Sequence, residues 1–225
     1  MSITVTETSK GTYLNIRGRA QWPKLTTPDT HFDAAGVFST KLILTEEDRA
    51  ELQTLLEDAQ EQAVQIAVDE AATKGRKVKP ETIKRVDLPL QEIVDRETGE
   101  GTGEWVVSTK CKASGTTKDG RSWARKVPLY DSKTKPIENP KLEIWSGSVL
   151  NCRVLVKPFY TAGLGAGVSL PLQGVQILQL ASGARTAADM GFGAEEDGYA
   201  YEDMAEGELP WSSTDEDATG ESADF

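Results

Sequence analysis

Residues 104–130 read EWVVSTKCKASGTTKDGRSWARKVPLY, and this stretch has the pattern of a β-hairpin. Over Trp105–Ala113, apolar or small residues alternate with polar ones, which is the period of a strand with one buried face. Asp119 and Gly120 follow as a dipeptide that strongly favours a tight turn between two strands. The segment Arg121–Tyr130 is therefore predicted to return as the second strand.

The same stretch is rich in bases. Val107, Thr109 and Cys111 share one face of the first strand, whereas Lys110 and Lys112 share the other and cannot belong to a core. Six bases fall between positions 110 and 126: Lys110, Lys112, Lys118, Arg121, Arg125 and Lys126. Such a face either contacts a polyanion or is simply solvated, since paired lysines on a sheet surface are common.

Other segments alternate in the same way and predict further strands. They are Ile3–Trp22, Gly36–Leu44, Val149–Lys157 and Val168–Leu180. In the first of these, Arg17 and Arg19 lie on the polar face, and Pro23 and Pro28 predict that the strand ends in a loop.

One helix is predicted directly after the second of these strands. Thr45 is a good N-cap, and acidic residues fill the first turn, where the positive end of the helix dipole favours them. Apolar residues then recur three and four positions apart as far as Lys74-Gly75, where the helix should end. Five or more strands, one long helix and no alternation of strands with helices favour a small antiparallel β-barrel over a doubly wound sheet.

Charge divides the chain into two parts. The whole protein has a formal net charge of −11, yet residues 186–225 contain thirteen Asp and Glu and no Lys, Arg or His. The body, residues 1–185, is close to neutral. Strong like charge and few β-branched residues predict that residues 186–225 form a disordered tail. Aromatic residues nonetheless interrupt the acids, and an acidic chain with interspersed rings resembles single-stranded nucleic acid.

Several function classes lack support in the sequence. No apolar run approaches the length of a membrane span, and Met1–Lys10 does not read as a signal peptide, so we expect a cytosolic protein. His31, Cys111 and Cys152 do not form a metal or nucleophile motif. A strand pattern follows the glycines of 163–167, which favours a glycine hairpin over a dinucleotide loop. We therefore expect neither an enzyme nor a metal or other cofactor.

Aromatic residues beside bases are candidates for stacking on nucleic-acid bases. Phe159 and Tyr160 follow a lysine at a strand end, which is where stacking on single strands would need them. Trp22 shares a strand face with core residues, so a core role is its alternative. Trp105 and Trp123 are open to both interpretations.

Short segments spread along the chain resemble a known family. They are Lys110-Cys111-x-Ala113-Ser114, Asp131-Ser132-Lys133 with Lys135, Val156-x-Pro158-Phe159 before Thr161-Ala162, Gly165-Ala166, Val168-x-Leu170-x-Leu172 with Val175, Phe38 and Lys41 after Gly36, and the terminal Asp224-Phe225. Taken together, with the first five in one order and spacing along the chain, they are similar to segments of the single-stranded DNA-binding proteins of T-odd, T-seven-like podoviruses. The combination is specific, although no single segment is.

The resemblance implies an OB-fold-like barrel with one long inserted helix, a homodimer, and an acidic tail that screens the DNA groove. It also implies docking of the tail onto the phage DNA polymerase and primase-helicase in the host bacterial cytoplasm. Lys110 matches a DNA-contacting lysine of the family, and Phe159 stands where the family has a stacking tyrosine. Lys112 departs from the pattern, since an aromatic residue is expected there. Stacking is therefore shifted to Trp22, Trp123 or Tyr160.

The resulting hypothesis is a non-catalytic protein that coats single-stranded DNA in replication, recombination and repair. The predicted DNA-binding residues are Arg17, Arg19, Trp22, Lys110, Lys112, Arg121, Trp123, Arg125, Lys126, Phe159 and Tyr160. The predicted partner-binding residues are Asp215, Glu216, Asp217, Glu221, Asp224 and Phe225. The alternative is a protein-binding adaptor whose acidic tail mimics DNA.

Overall fold

Twelve strands, one α-helix and one short 3₁₀ helix make up the described part of the chain, residues 3–95, 97–139 and 141–181 of a computed structural model. The strands are β1 (Ile3–Thr8), β2 (Gly11–Asp29), β3 (Val37–Leu44), β4 (Leu90–Val94), β5 (Gly101–Lys112), β6 (Ser114–Thr116), β7 (Ser122–Ala124), β8 (Leu129–Tyr130), β9 (Val149–Leu155), β10 (Lys157–Thr161), β11 (Gly165–Ser169) and β12 (Leu172–Gln179). The helix α1 spans Glu46–Thr73, and the 3₁₀ helix spans Pro80–Thr82.

Most of these strands form one sheet in the order β4-β5-β3-β2-β9-β12-β8, with β1 paired to β2. The pairings are antiparallel except that of β12 with β8. Because side chains alternate across a strand, one face of β2 places Leu14 and Ile16 in the core. Leu150, Cys152 and Val154 do the same on β9 and are fully buried. The predicted core faces of β9 and of the first part of β2, as far as Ala20, are therefore confirmed.

The sheet curls back on itself without becoming a closed barrel. The ladder stops at β4 and β8, and β5 meets the start of β12 through a single bridge between Lys110 and Pro171. Thr109 strengthens this contact, because its buried hydroxyl donates a 2.8 Å hydrogen bond to the Leu170 carbonyl. The mainly β, OB-fold-like class is confirmed. The predicted barrel is not closed, because the strands at the two ends of the sheet, β4 and β8, do not pair with each other.

The long helix begins and ends where its capping residues predict. The Thr45 hydroxyl accepts a hydrogen bond from the Asp48 N–H, and the helix ends one residue before Lys74. Leu52, Leu56 and Ala59 join the main core. Farther along, the helix packs on the β10–β11 hairpin through the small second cluster that includes Ala63 and Val64.

The first predicted strand is in fact a hairpin of two strands, β1 and the much longer β2. The chain turns after Thr8, and β2 then runs to Asp29 through both prolines that were expected to end it. The β2–β3 register is irregular between Gln21 and Lys24 and again between Lys24 and Asp29. Prolines are tolerated in a sheet at such irregularities, because a regular ladder no longer needs their missing N–H.

Other strands also begin and end at residues different from those predicted. The returning strand predicted at 121–130 consists of the short β7 and β8, separated by residues 125–128 without strand structure. Val149–Lys157 and Val168–Leu180 are each shared between two strands, and β4 was not predicted.

The glycine segment 163–167 is a hairpin turn, as predicted, and no helix starts there. Gly165 has a φ of +113°, and the Lys84 carbonyl oxygen occupies the space that a β-carbon would fill. The protein's own backbone makes this close approach. The predicted tail, residues 186–225, lies outside the described residues.

Candidate nucleic-acid interface

The outward faces of β2, β3 and β5 place polar and basic side chains in three rows. The register aligns Gln21 with Lys41 and Ser108, Lys24 with Ser39 and Lys110, and Asp29 with Val37 and Lys112. Directly opposed residues on neighbouring strands lie about 5 Å apart, so each row forms a continuous strip across the sheet. Bases from distant parts of the sequence thus share one surface.

These rows form the floor of a groove with a volume of about 930 Å³, bounded by residues 168–171 on one side and the β6–β7 hairpin on another. We call it the β3–β5 groove. Its charged lining residues are the bases Lys24, Lys41, Lys110, Lys112 and Arg125, with the acids Asp29 and Asp33. The bases outnumber the acids by three, so the groove attracts anions even though the whole chain is acidic.

One base of the groove already has an anionic partner. The Lys112 ammonium lies 3.3 Å from the Asp33 carboxylate. The N–H of Ala35 donates a 3.0 Å hydrogen bond to the same carboxylate. The backbone hydrogen bond from Ala35 and then that from the Lys112 side chain hold the pKa of Asp33 below its ordinary value. This carboxylate remains ionised at neutral pH and reduces the positive charge available near Lys112.

Trp22 lines the groove with its indole ring more than half exposed. The core alternative for this residue is therefore wrong. A strict two-residue period would place Trp22 on the face of Ala20, but its φ of +49° and the irregular register after Gln21 turn the side chain outward. The backbone N–H of Trp22 donates a 2.9 Å hydrogen bond to the Ser146 hydroxyl, and the Lys41 ammonium lies 5.5 Å from the ring centroid.

Trp123 and Arg125 enter the groove from the β6–β7 hairpin. The Trp123 ring lies over Gly115 on the paired strand, in space that a β-carbon at that position would obstruct. The Arg125 guanidinium is 6.0 Å from the centroid of this ring. Burial raises the pKa of the neighbouring Cys111 thiol, and a hydrogen bond with Arg125 partly offsets that increase. The hairpin thus presents an exposed ring beside a permanent cation.

Lysines and an arginine beside two exposed indole rings are the groups that hold phosphates and bases of a single strand. The sequence model of the family described as "Single-stranded DNA-binding protein, Bacteriophage T7" matches residues 19–180, which is most of the chain. The chain belongs to this family. A comparison with curated proteins finds no match.

Solved structures of phage single-stranded DNA-binding proteins are similar to the described fold. The crystal structure of gp2.5, a single-stranded DNA-binding protein encoded by bacteriophage T7, matches with a TM-score of 0.61 and 22% identity, covering 89% of this chain and 100% of that chain. The single-stranded DNA-binding protein from bacteriophage Enc34, in complex with single-stranded DNA, matches with a TM-score of 0.48 and 15% identity, covering 79% of this chain and 92% of that chain. The gp2.5 match supports the family's fold for this chain.

The groove of this family member brings together five of the residues predicted from the sequence to bind DNA. They are Trp22, Lys110, Lys112, Trp123 and Arg125. Arg121 and Lys126 are exposed on the same hairpin segment but do not line the groove.

Phe159 and Tyr160 lie on β10, away from the lining of the groove. Both are half-buried. Tyr160 packs against the small cluster formed by α1 and β11, and the Phe159 ring covers Gly167 on the paired strand. The predicted stacking role of both rings stays a prediction.

Arg17 and Arg19 point outward on β2, as their alternation predicts, but lie nearer the start of the strand than the residues that line the groove. The Arg19 guanidinium forms a 3.1 Å ion pair with Glu104. Trp105, whose role the sequence left open, packs against the main core with the Arg49 guanidinium 4.3 Å from its ring centroid.

Two lining bases, Lys24 and Lys41, were not assigned to the site from the sequence. The sequence could have placed Lys41 on this surface, because it is two residues from Ser39 on the polar face of a predicted strand. The sequence could not have placed Lys24 there, since it lies between two prolines in a segment predicted to be a loop.

The predicted partner-binding residues, from Asp215 to Phe225, lie outside the part of the chain that the structure describes. Within that part, no helix has both the length and the apolar character needed to cross a membrane. Nor do its His, Cys, Asp and Glu side chains gather in groups of three or more that could hold a metal ion.

Proposed function

We propose that this protein binds single-stranded DNA in the β3–β5 groove with little sequence preference. The observation that carries this proposal is the alignment of bases from three strands beside two exposed tryptophans. Family membership supports it independently.

Binding combines two physical effects. Phosphates neutralised by the groove bases release their counterions, which makes affinity fall as salt rises. Trp22 and Trp123 stack on bases, and stacking tolerates any sequence because every base presents a flat π-face. Arg121 and Lys126 extend the basic surface along the hairpin, and Arg17 and Arg19 extend it along β2. Phe159 and Tyr160 contribute stacking contacts if the bound DNA strand continues past residues 168–171.

The proposed biological role is to coat and protect single strands during DNA replication, recombination and repair in the host bacterial cytoplasm. Residues 1–185 act as the binding domain, and the protein works as a homodimer. It catalyses no reaction and needs no cofactor, because binding uses only charge, hydrogen bonds and stacking.

We further propose that the acidic tail, residues 186–225, competes with DNA for the groove. The tail carries thirteen acids and no base, whereas the groove has an excess of bases. Its length does not limit this competition, since 44 residues follow Ala181 and can span up to about 150 Å when extended. The end of the tail recruits the phage DNA polymerase and primase-helicase through Asp215, Glu216, Asp217, Glu221, Asp224 and the Phe225 ring.

A binding titration tests the central proposal. Labelled oligo-dT and a duplex of equal length are titrated with full-length protein at several salt concentrations. We expect preference for the single strand and an affinity that decreases with salt. Binding to neither nucleic acid would instead support the protein-binding adaptor, and a salt-independent affinity would exclude an electrostatic groove.

The tail proposal has its own test. Deleting residues 186–225 removes the competing charge, so DNA affinity should increase, most clearly at low salt where screening is weakest. Removing Phe225 alone should leave DNA affinity unchanged and weaken pull-down of the replicative polymerase. Weaker DNA binding after tail deletion would show that the tail does not compete.

A further inference from the structure

The loop between β2 and β3, residues 30–36, carries an exposed aromatic side chain that is not among the groove-lining residues. Phe32 is 93% exposed, the highest value among the exposed large hydrophobic residues of the described chain. Its ring contacts only the edge of His31 among the described aromatic groups, at a centroid distance of 4.6 Å. An aromatic ring left in water lacks the favourable free energy that burial of its apolar surface would give.

Hydrogen bonds within this loop fix the backbone on both sides of Phe32. The Asp29 carboxylate accepts a 2.9 Å hydrogen bond from the N–H of His31. The Asp33 carboxylate accepts one from the N–H of Ala35, and the Asp33 carbonyl accepts another from Gly36. The loop therefore holds an exposed ring on a locally organised backbone.

The same two aspartates place Phe32 at the edge of the β3–β5 groove. Asp29 and Asp33 both line the groove, and Phe32 directly precedes Asp33. Consecutive α-carbons are about 3.8 Å apart, so the ring is attached within one residue of the lining. The backbone of Phe32 therefore lies beside the groove lining, and its exposed ring is accessible to a base of a DNA strand whose phosphates lie against Lys112.

Asp33 gives this position a second property. Its carboxylate lies 3.3 Å from the Lys112 ammonium, which is the position that a DNA phosphate would take. Both side chains are substantially exposed, so the pair is weak and open to exchange. A phosphate arriving at Lys112 would displace Asp33 and leave the loop free to adjust around the adjacent base.

We propose that Phe32 forms a base-stacking site at the edge of the groove and that Asp33 occupies Lys112 until a phosphate replaces it. This inference rests on the proposed binding of single-stranded DNA in the groove. It adds to that function a contact residue and an internal competitor, both within one loop. Single exposed apolar residues are common on protein surfaces, so the test must separate stacking from mere exposure.

The stacking half is tested with Phe32→Ala and Phe32→Leu, the second of which keeps an apolar side chain but removes the aromatic face. Leu164→Ala is the matched control, because Leu164 is also exposed and lies on the β10–β11 turn outside the groove lining. Each protein is titrated with oligo-dT and with an abasic oligonucleotide of equal length, which has the phosphates but no bases. Thermal unfolding verifies that each variant is folded.

We expect both Phe32 variants to lose affinity for oligo-dT by about fivefold to 150-fold, the range typical of one stacked base. Binding to the abasic strand should not change, and Leu164→Ala should match the unchanged protein on both ligands. Equal oligo-dT affinity in Phe32→Ala and unchanged protein would overturn the stacking site. An equal loss on the abasic strand would overturn it too, because the effect would not depend on bases.

Asp33→Asn tests the competitor. Removing this carboxylate's charge should tighten oligo-dT binding by up to about fivefold at low salt, and the gain should disappear as salt is raised. An unchanged or weaker affinity at low salt would show that Asp33 does not compete. If the unchanged protein binds no oligo-dT, the proposed function itself fails. If the unchanged protein binds oligo-dT and the Phe32 and Asp33 variants bind it with the same affinity, this inference alone fails.

Discussion

Lys110→Ala should flatten the salt dependence of DNA binding without unfolding the protein. Lys110 is exposed at the centre of the groove floor, in the row that joins Lys24 and Ser39. Its backbone also bridges Pro171, but truncating the side chain leaves that contact in place. The change therefore removes one phosphate contact and little else.

The size of the effect follows from the number of groove bases. For a single strand, the logarithm of the affinity falls with the logarithm of salt with a slope of about −0.7 per phosphate contact. If all five groove bases contact phosphates, the slope is about −3.5, and affinity falls about 130-fold between 50 and 200 mM salt. With four contacts the slope is about −2.8, and the fall is about 50-fold.

Fluorescence anisotropy of labelled oligo-dT, measured at four or more salt concentrations, gives both slopes. Lys110→Arg should keep the original slope, because it keeps the charge. Lys10→Ala, which removes an exposed lysine at the β1–β2 turn outside the groove, should keep it as well. If Lys110→Ala retains the full slope, or if Lys10→Ala flattens it equally, phosphates do not bind in this groove.

Three further predictions concern other parts of the molecule. Ser146→Ala removes the acceptor of the Trp22 backbone N–H and should weaken oligo-dT binding while shifting tryptophan fluorescence. Ser146→Thr, which keeps a hydroxyl, should match the unchanged protein in both, and an unchanged affinity in the alanine variant would contradict a positioning role. Gly165→Ala places a β-carbon against the Lys84 carbonyl at a residue with positive φ, so it should lower the free energy of unfolding by more than about 1 kcal/mol. An unaltered midpoint of urea unfolding would contradict this prediction. Burial raises the pKa of Cys152 to about 12, above the 9.0 of an ordinary thiol, so folding is favoured fully below pH 9 and progressively less up to pH 12. Urea unfolding across that range should show the loss, and Cys152→Ala should show less of it; equal pH dependence in the two proteins would refute the assignment.

Local patterns predicted the elements whose structure depends on local chemistry. The alternation of Val107, Thr109 and Cys111 identified the buried face of β5, and Thr45 identified the start of α1. Asp119-Gly120 marked the correct turn. In each case the deciding interaction joins residues near in sequence, so a single segment contains the information.

The groove could not be assembled in the same way. Its rows depend on the register between β2, β3 and β5, whose paired residues are far apart in sequence. Lys24 was missed because Pro23 and Pro28 indicate a loop, whereas pairing with β3 holds this segment in the sheet. Phe159 was assigned from its position after Lys157 and from the family resemblance, and its stacking role stays a prediction. Its packing over Gly167 is a tertiary contact that no local pattern records.

Trp22 illustrates how the proposed DNA-binding surface can oppose the requirements of folding. A bulky residue at a φ of +49° carries conformational strain, typically about 1–3 kcal/mol, that glycine would largely avoid. A sequence selected only for stability would therefore place glycine or asparagine here and accept the loss of the ring. If Trp22 stacks on bases as proposed, the exposed ring contributes to DNA binding at a cost in stability from the strained backbone. Redesign for stability alone would favour replacing Trp22 with glycine, and under the proposed function that replacement would remove a base-stacking ring.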